Sequence, residues 1–203
     1  MPNVSLSSFL KILSKGTPQK VQEYGKYLTP GGYDFYWRLK DAARALTVEG
    51  KSFAECVKPI EAISRAVEKA HNLEGLKSLQ RWLEVAAAAT FFRPPAANCS
   101  SPEGLMNVKL EPEFGIVIDG HRRLVQIWNS KGGTLNRTIA GAGIYLIQEY
   151  LCRAEFGDCE GAVLDLRKRE LYLAAAIPPN IPMIVASELA WVDGFFKAHK
   201  KAA

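Results

Sequence analysis

The feature that most constrains this chain is a change in the spacing of its apolar residues at a proline-rich stretch, residues 93–104. Before this stretch the apolar residues recur at the 3.6-residue spacing of α-helices, and after it they recur at every second residue, the spacing of β-strands. The sequence therefore predicts an α+β protein, with a helical domain over 1–92, a linker over 93–104 and a mixed-sheet domain over 105–203.

Helix-end signals divide the first half into a bundle of about five helices. A glycine ends the first helix, a Thr-Pro pair begins the second, and a Ser-x-x-Glu capping box begins the fourth. An asparagine is predicted to cap the last helix. These signals are Gly16, Thr17-Pro18, Ser52-Phe53-Ala54-Glu55 and Asn72.

The second half predicts the element order strand, strand, helix, strand, strand, helix. Residues 105–110, 115–118 and 124–128 are predicted strands, and Asp119-Gly120 is a dipeptide typical of a tight hairpin turn between the last two of them. A second strand pair surrounds the turn Arg167-Lys168-Arg169, and Ser187 is predicted to cap the closing helix. Between the strand pairs, Gly141 and Gly143 in a helix indicate close approach of that helix to the sheet.

Basic residues are unevenly distributed along the chain. Residues 1–95 hold 14 Lys and Arg against 9 Asp and Glu, whereas residues 96–203 hold 12 of each. Such an excess suits an anionic partner, although a solvated basic surface has the same composition. The residues predicted to contact nucleic acid are basic side chains, with one aromatic that could stack on bases or pack in the core: Lys11, Lys15, Lys20, Lys26, Trp37, Arg38, Arg122 and Arg123.

Other site classes find little support in the sequence. The four cysteines include no C-x-x-C pair, so we expect no metal site and reduced thiols. The order of Ser130-Lys131-Gly132-Gly133-Thr134 is wrong for a Walker loop. We find neither a membrane-spanning run nor a secretory signal, which predicts a cytoplasmic location without membrane contact.

One constellation of residues resembles a known family. Pro112-Glu113 precedes a predicted strand, Asp119 ends it, and Gln126-Ile127-Trp128 lies in the paired strand before a long helix. This arrangement resembles the core of the restriction-endonuclease-like, or PD-(D/E)xK, superfamily over about residues 105–176. In that family a Pro-Asp precedes one strand and Glu-x-Lys lies on the next; the carboxylates bind a divalent metal and the lysine assists the attacking water.

The resemblance implies a degenerate site. Gln126 stands at the glutamate position and Trp128 at the lysine position. A neutral amide is a poor magnesium ligand, and an indole cannot act as a base. We therefore expect no catalytic residues and no cofactor, and Glu113 and Asp119 also suit an ordinary sheet.

Two main functions follow as expectations. The first is a non-catalytic binding or adaptor protein, associated with nucleic acid or with a protein complex. The alternative is a nuclease that depends on Mg²⁺ and uses an atypical site of Glu113, Asp119 and Gln126. A purely protein-binding module is a third expectation, and the oligomeric state is not indicated.

Overall fold

A computed structural model describes residues 1–29, 31–86 and 89–200. Within this part of the chain the α-helices are α1 (Leu6–Leu13), α2 (Thr17–Gly25), α3 (Trp37–Thr47), α4 (Phe53–Glu61), α5 (Ala66–Val85), α6 (Arg137–Tyr150) and α7 (Ile181–Lys200). The strands are β1 (Asn3–Ser5), β2 (Thr90–Phe92), β3 (Ala97–Ser100), β4 (Asn107–Leu110), β5 (Phe114–Ile118), β6 (His121–Trp128), β7 (Glu160–Asp165) and β8 (Glu170–Leu173). The predicted α+β class is confirmed.

The strands form two sheets. The larger has the order β2-β5-β6-β7-β8, in which only β6 and β7 pair in parallel; the other neighbours are antiparallel. The smaller has the order β1-β4-β3, with β1 parallel to β4. Asp119 and Gly120 both have positive φ and join β5 to β6 directly, as the Asp-Gly dipeptide predicted.

Helices cover both faces of the larger sheet because its central strands bury residues on both sides. In β6, Leu124 and Trp128 pack in one core with α1, α6 and α7. Val125 and Ile127 alternate with them and pack in the other core with α3, α4 and α5. The result is three layers, with the sheet in the middle.

The proline-rich stretch does not separate two cores. Residues 97–100 of the predicted linker form β3, which pairs with β4 and buries Cys99. Each core combines residues from both sides of the stretch: Phe9 with Ile144 in one, and Leu76 with Leu164 in the other. The predicted division into a helical domain and a sheet domain is therefore corrected, because the helices of the first half cover the sheet of the second.

Two predicted helix starts are wrong, and so is the purely helical character of residues 1–92. Helix α5 begins at Ala66, which places Asn72 inside it; the buried Asn72 amide instead accepts a hydrogen bond from Leu39 N near the start of α3. Helix α7 begins at Ile181, before Ser187. Strands β1 and β2 lie within 1–92, where they form edges of the two sheets.

Glycines allow α6 to approach the sheet closely. A methyl group on Gly143 would lie 2.9 Å from Leu10 Cδ1 and 3.1 Å from Val163 Cγ2, which agrees with the predicted role of a small residue there. On the opposing strand, a methyl group on Gly161 would lie 2.8 Å from the carbonyl oxygen of Ile144. That contact is with helix backbone, so it cannot be relieved by rotating a side chain.

We expect the substitution Gly161→Ala to destabilise the protein by roughly 1–3 kcal/mol, because the added methyl group would push α6 away from β7. Urea unfolding followed by circular dichroism measures this difference. The matched control is Gly194→Ala in α7, where the added methyl group would have no atom within 4 Å apart from its chain neighbours and the nearby backbone of its own helix. Equal stability of the two variants would contradict the proposed closeness of the contact.

Candidate functional site

Glu113 is the carboxylate of the predicted nuclease-like motif that immediately precedes β5. Its side chain is fully buried. Glu113 Oε2 accepts hydrogen bonds from Ile127 N at 2.6 Å and from Gln126 Nε2 at 2.9 Å, and Oε1 accepts one from Gln126 Nε2 at 3.1 Å. The amide group of Gln126 therefore contacts both oxygens of the Glu113 carboxylate.

The environment of Glu113 favours its neutral form. Burial raises the pKa of this carboxyl, and the nearby Lys40 and Arg44 of α3 and the Ile127 N–H oppose the shift without cancelling it. A buried carboxyl with donors already directed at both oxygens has little capacity left for an additional ligand.

Asp119, the second carboxylate of the predicted catalytic set, lies apart from Glu113, whereas Gln126 contacts it. Asp119 is in the β5–β6 turn, at the far end of a strand that spans about 20 Å between the two carboxylates. Trp128 is buried in the core. Lys131 pairs with Glu74 of α5 at 3.6 Å. The set Glu113, Asp119 and Gln126 therefore does not converge, because Asp119 follows a whole strand instead of flanking the same end of it.

The described residues also contain no group of three or more His, Cys, Asp or Glu side chains placed to hold a metal ion. The four cysteines are unpaired thiols. Burial raises the pKa of each, and that of Cys152 to about 12. These thiols are therefore protonated at neutral pH.

Most of the basic residues predicted to bind nucleic acid are engaged by carboxylates. Glu23 lies 3.9 Å from Lys15 and 2.8 Å from Lys26. Lys20 pairs with Glu188 of α7, whose other oxygen accepts a hydrogen bond from Tyr24. These pairs neutralise charge locally and weaken the case for a phosphate-binding face on α2.

The remaining predicted residues have varied surroundings. Arg122 pairs with Asp158 at 2.6 Å, and the buried Arg123 lies 3.6 Å from Glu160. The guanidinium of Arg38 lies 3.7 Å from the ring centre of Trp37. Lys11 packs beside the loop between β6 and α6, where a methyl group on Gly132 would lie 3.1 Å from Lys11 Cε.

A concave surface lies at the carboxyl ends of the parallel strands β6 and β7. It has a volume of about 820 Å³ and is formed by α5, the β6–α6 loop and the β7–β8 turn. Its lining includes two acidic side chains, Glu74 and Asp165, and six cationic ones: Lys77, Arg81, Lys131, Arg167, Lys168 and Arg169. We refer to this surface as the basic cleft.

Local interactions hold the three walls of the basic cleft together. Ser78 of α5 donates a hydrogen bond to the carbonyl oxygen of Leu166 at the end of β7. The buried Asp165 accepts hydrogen bonds from Arg167 N at 2.9 Å and Lys168 N at 3.3 Å, which shapes the turn. Arg169 completes the turn with a φ of 56°. The Asp165 carboxylate therefore stabilises the backbone of the turn. The cationic side chains of the turn line the basic cleft.

The cations of the cleft have few partners. Lys131 pairs with Glu74, whereas the other five form no ion pair within the described part of the chain. All five are exposed to solvent. Helix α6 begins beside them, and its N-terminal end adds positive potential to the same surface. The arrangement suits a ligand with several anionic groups.

Two residues of the cleft, Lys77 and Arg81, were not singled out in the sequence. The available signal was their spacing of four residues, which places both on one face of α5. The sequence predicts the turn Arg167-Lys168-Arg169 between two strands, but the proximity of this turn to α5 depends on the sheet.

We expect Glu113→Gln to change how stability depends on pH. The raised pKa means that folded wild type binds the Glu113 proton more tightly than unfolded wild type does. That contribution to stability is present below the ordinary value of 4.5 and is lost as pH rises through the folded-state pKa. The stability of Glu113→Gln relative to wild type should therefore increase between pH 4.5 and pH 7.

Urea unfolding at a series of pH values measures this difference. Glu111→Gln makes the same charge change at an exposed site two residues away and corrects for the general effect of charge. A relative stability that stays flat or falls with pH would show that Glu113 ionises readily in the folded protein.

Comparison of the sequence with protein-family models gives no match, and comparison with curated proteins gives none either. No activity is therefore transferred to this chain from a relative. A fold by itself does not specify a function. The features that bear on the function of this chain are therefore the basic cleft and the buried Glu113 site.

Proposed function

We propose that this chain is a non-catalytic nucleic-acid-binding protein that binds the phosphates of a nucleic-acid strand in the basic cleft. The observation that carries the proposal is the convergence of six cations from three separate elements on one concave surface.

A cytoplasmic location belongs to the same proposal. Among the described residues no helix is both long and apolar enough to cross a bilayer.

The distribution of paired and unpaired cations supports this ligand. Lysines and arginines held by a carboxylate, such as Lys20 and Arg122, contribute little net attraction for an anion. Five of the cleft cations have no such partner within the described residues, so their fields add. Phosphates that neutralise them release condensed counterions, which favours binding at low salt.

The proposal extends to a degenerate restriction-endonuclease-like core formed by β5, β6, α6 and β7. Its support is the adjacency of the motif positions: Glu113 precedes β5, and Gln126 on β6 donates to both of its carboxylate oxygens. At the position where the family's motif has a glutamate, this chain has the neutral amide of Gln126, which is a poor ligand for a divalent metal. Trp128, two residues on, is an apolar core residue.

The alternative, an Mg²⁺-dependent nuclease, has less support. It needs at least two carboxylates on one cation, and Asp119 lies about 20 Å from Glu113 along β5. Gln126 supplies no charge, and the Glu113 carboxyl is occupied by internal donors. A function in protein binding alone gives no specific role to the unpaired cations of the basic cleft or to the Glu113 carboxylate.

Replacing Arg81 and Lys168 by Gln should weaken nucleic-acid binding for every sequence tested. Two lost phosphate contacts should also make the slope of log affinity against log salt shallower by roughly 1.4–1.8. Fluorescence anisotropy with a labelled oligonucleotide, in a salt titration, measures both effects.

The matched control for this charge change is the double variant Lys15→Gln, Lys26→Gln, whose lysines pair with Glu23 outside the cleft. We expect its affinity and salt slope to stay near those of wild type. A larger loss in the control than in the cleft variant would move the binding surface to the N-terminal helices. Absence of binding by wild type at low salt would remove nucleic acid as the ligand and favour the adaptor function.

We expect no Mg²⁺-dependent hydrolysis by the wild-type protein. Incubation of labelled single-stranded and double-stranded DNA and RNA with Mg²⁺, followed by gel analysis, tests this directly. The Glu113→Gln and Asp119→Asn variants serve as controls for a contaminating nuclease. Cleavage by wild type that both variants abolish would establish the nuclease alternative.

A further inference from the structure

Two aromatic side chains are exposed near the start of α3. As whole residues, Tyr33 and Trp37 are 60% and 38% exposed, respectively. Each lies beside an arginine: Arg65 is 5.2 Å from the ring centre of Tyr33, and Arg38 is 3.7 Å from that of Trp37. We refer to these four residues as the aromatic patch.

The Tyr33 ring is held in place and is not part of the core. Its hydroxyl donates a hydrogen bond to Glu68 Oε1 on α5, and the Glu68 carboxylate is itself buried. Neither Tyr33 nor Trp37 belongs to the buried residues of the two cores. An anchored aromatic ring that remains accessible is the geometry that base stacking requires.

Tyr33 of the aromatic patch adjoins the basic cleft, and Trp37 follows four residues later at the start of α3. A pocket of about 140 Å³ beside Tyr33 shares Trp128, Asn129 and Ser130 with the lining of the cleft. Asn129 joins the walls, because its side-chain amide donates to the carbonyl oxygen of His71 on α5 at 3.3 Å. Helix α5 runs past both regions, from Glu68 under Tyr33 to Arg81 in the cleft, a span of about 20 Å.

Charge changes along this path. The cleft has six cations and two acids, whereas the pocket beside Tyr33 has Lys11, Lys40 and Asp34, of which Lys40 and Asp34 pair at 2.7 Å. The path therefore leads from a phosphate-binding region to an aromatic one. A ligand that fits both ends presents anionic groups and flat π-faces within the same short length.

The size of the cleft suits a short single strand. A volume of about 820 Å³ is of the size that encloses a drug-sized molecule, or a few linked nucleotides. Bases in a duplex are stacked on each other and paired, so their faces are not free to meet Tyr33 and Trp37. A single strand can place its backbone in the cleft and turn its bases toward the aromatic patch.

We propose that the basic cleft takes single-stranded nucleic acid and that bases of this strand stack on Tyr33 and Trp37. The inference rests on the proposed function and specifies the class of its ligand. The backbone runs along α5, with phosphates near Lys77 and Arg81 and bases at the Tyr33 end.

Three probes test this inference by competition and anisotropy: a mixed-sequence single-stranded oligonucleotide of about 12 nucleotides, its duplex, and inorganic polyphosphate. Wild type should bind the single strand at least about 10-fold more tightly than the duplex. Tyr33→Leu should weaken single-strand binding by roughly 5- to 100-fold and leave polyphosphate binding unchanged. Tyr33→Phe keeps the ring but loses the hydrogen bond to Glu68 that anchors it, so it should bind the single strand more tightly than Tyr33→Leu does.

A spectroscopic readout is independent of affinity. Stacking of a base on Trp37 should quench tryptophan fluorescence on addition of the single strand, and the Trp37→Phe variant should lose that quenching. Polyphosphate should cause no quenching in either protein.

The outcomes separate this inference from the proposed function. Equal or tighter binding of the duplex, or wild-type affinity of Tyr33→Leu for the single strand, would overturn the single-strand inference while leaving phosphate binding in the cleft intact. If none of the three probes binds at low salt, the proposed function fails and this inference fails with it.

Discussion

Strands β6 and β7 run parallel, and two parallel strands have to be joined by a crossover that covers one face of their sheet. Here the crossover is α6, which lies close to β7 because Gly143 and Gly161 leave room between helix and strand. The parallel pairing also brings the carboxyl ends of β6 and β7 to the same edge. The loop after β6 and the turn after β7 therefore meet, and α5 on the opposite face supplies the third wall. Ligands of α/β sheets commonly bind at such an edge, since the loops there are free to vary while the strands hold them in place.

The Glu113 site shows how a sheet can retain a buried carboxylate without metal chemistry. Burying a charge costs free energy unless the charge is paired or neutralised, and here three conditions reduce that cost. Burial raises the pKa of Glu113, which favours the neutral carboxyl. The Ile127 N–H and the Gln126 amide donate to the Glu113 oxygens, and Lys40 and Arg44 approach from α3. These interactions fix the entry into β5 beside β6. The same donors face both carboxylate oxygens, so structural hydrogen bonding and metal binding would compete for one carboxylate.

Sequence patterns predicted the features that depend on local chemistry. The hairpin at Asp119-Gly120 follows from the need for positive φ at both positions, and the capping box at Ser52 and Glu55 from the unpaired amides of a helix start. The mistaken cap at Asn72 has a tertiary cause, because its side chain satisfies the start of α3 instead of its own helix. Strands β1, β2 and β3 have three or four residues each, too few for an alternating pattern to be distinguished from a loop or a helix end. The partners of Lys20 and Arg122 are distant in sequence, so no local pattern could show that these cations are paired.

The basic cleft was out of reach of sequence reasoning for the same reason, and its physics explains its significance. Lys77 and Arg81 precede the turn Arg167-Lys168-Arg169 by more than eighty residues, and only the packing of α5 over the end of β7 brings them together. Like charges gathered on a concave surface repel each other, which opposes folding. Carboxylates relieve such repulsion on α2, where Glu23 lies between Lys15 and Lys26, and beside β6, where Asp158 and Glu160 face the arginines. In the cleft, Asp165 accepts hydrogen bonds from the backbone of the turn, and Glu74 pairs with Lys131. The repulsion among the remaining cations therefore persists within the described protein. An anionic ligand would supply the missing compensation, and this unbalanced charge is the physical reason to assign the cleft, rather than the more numerous paired cations elsewhere, to phosphate binding.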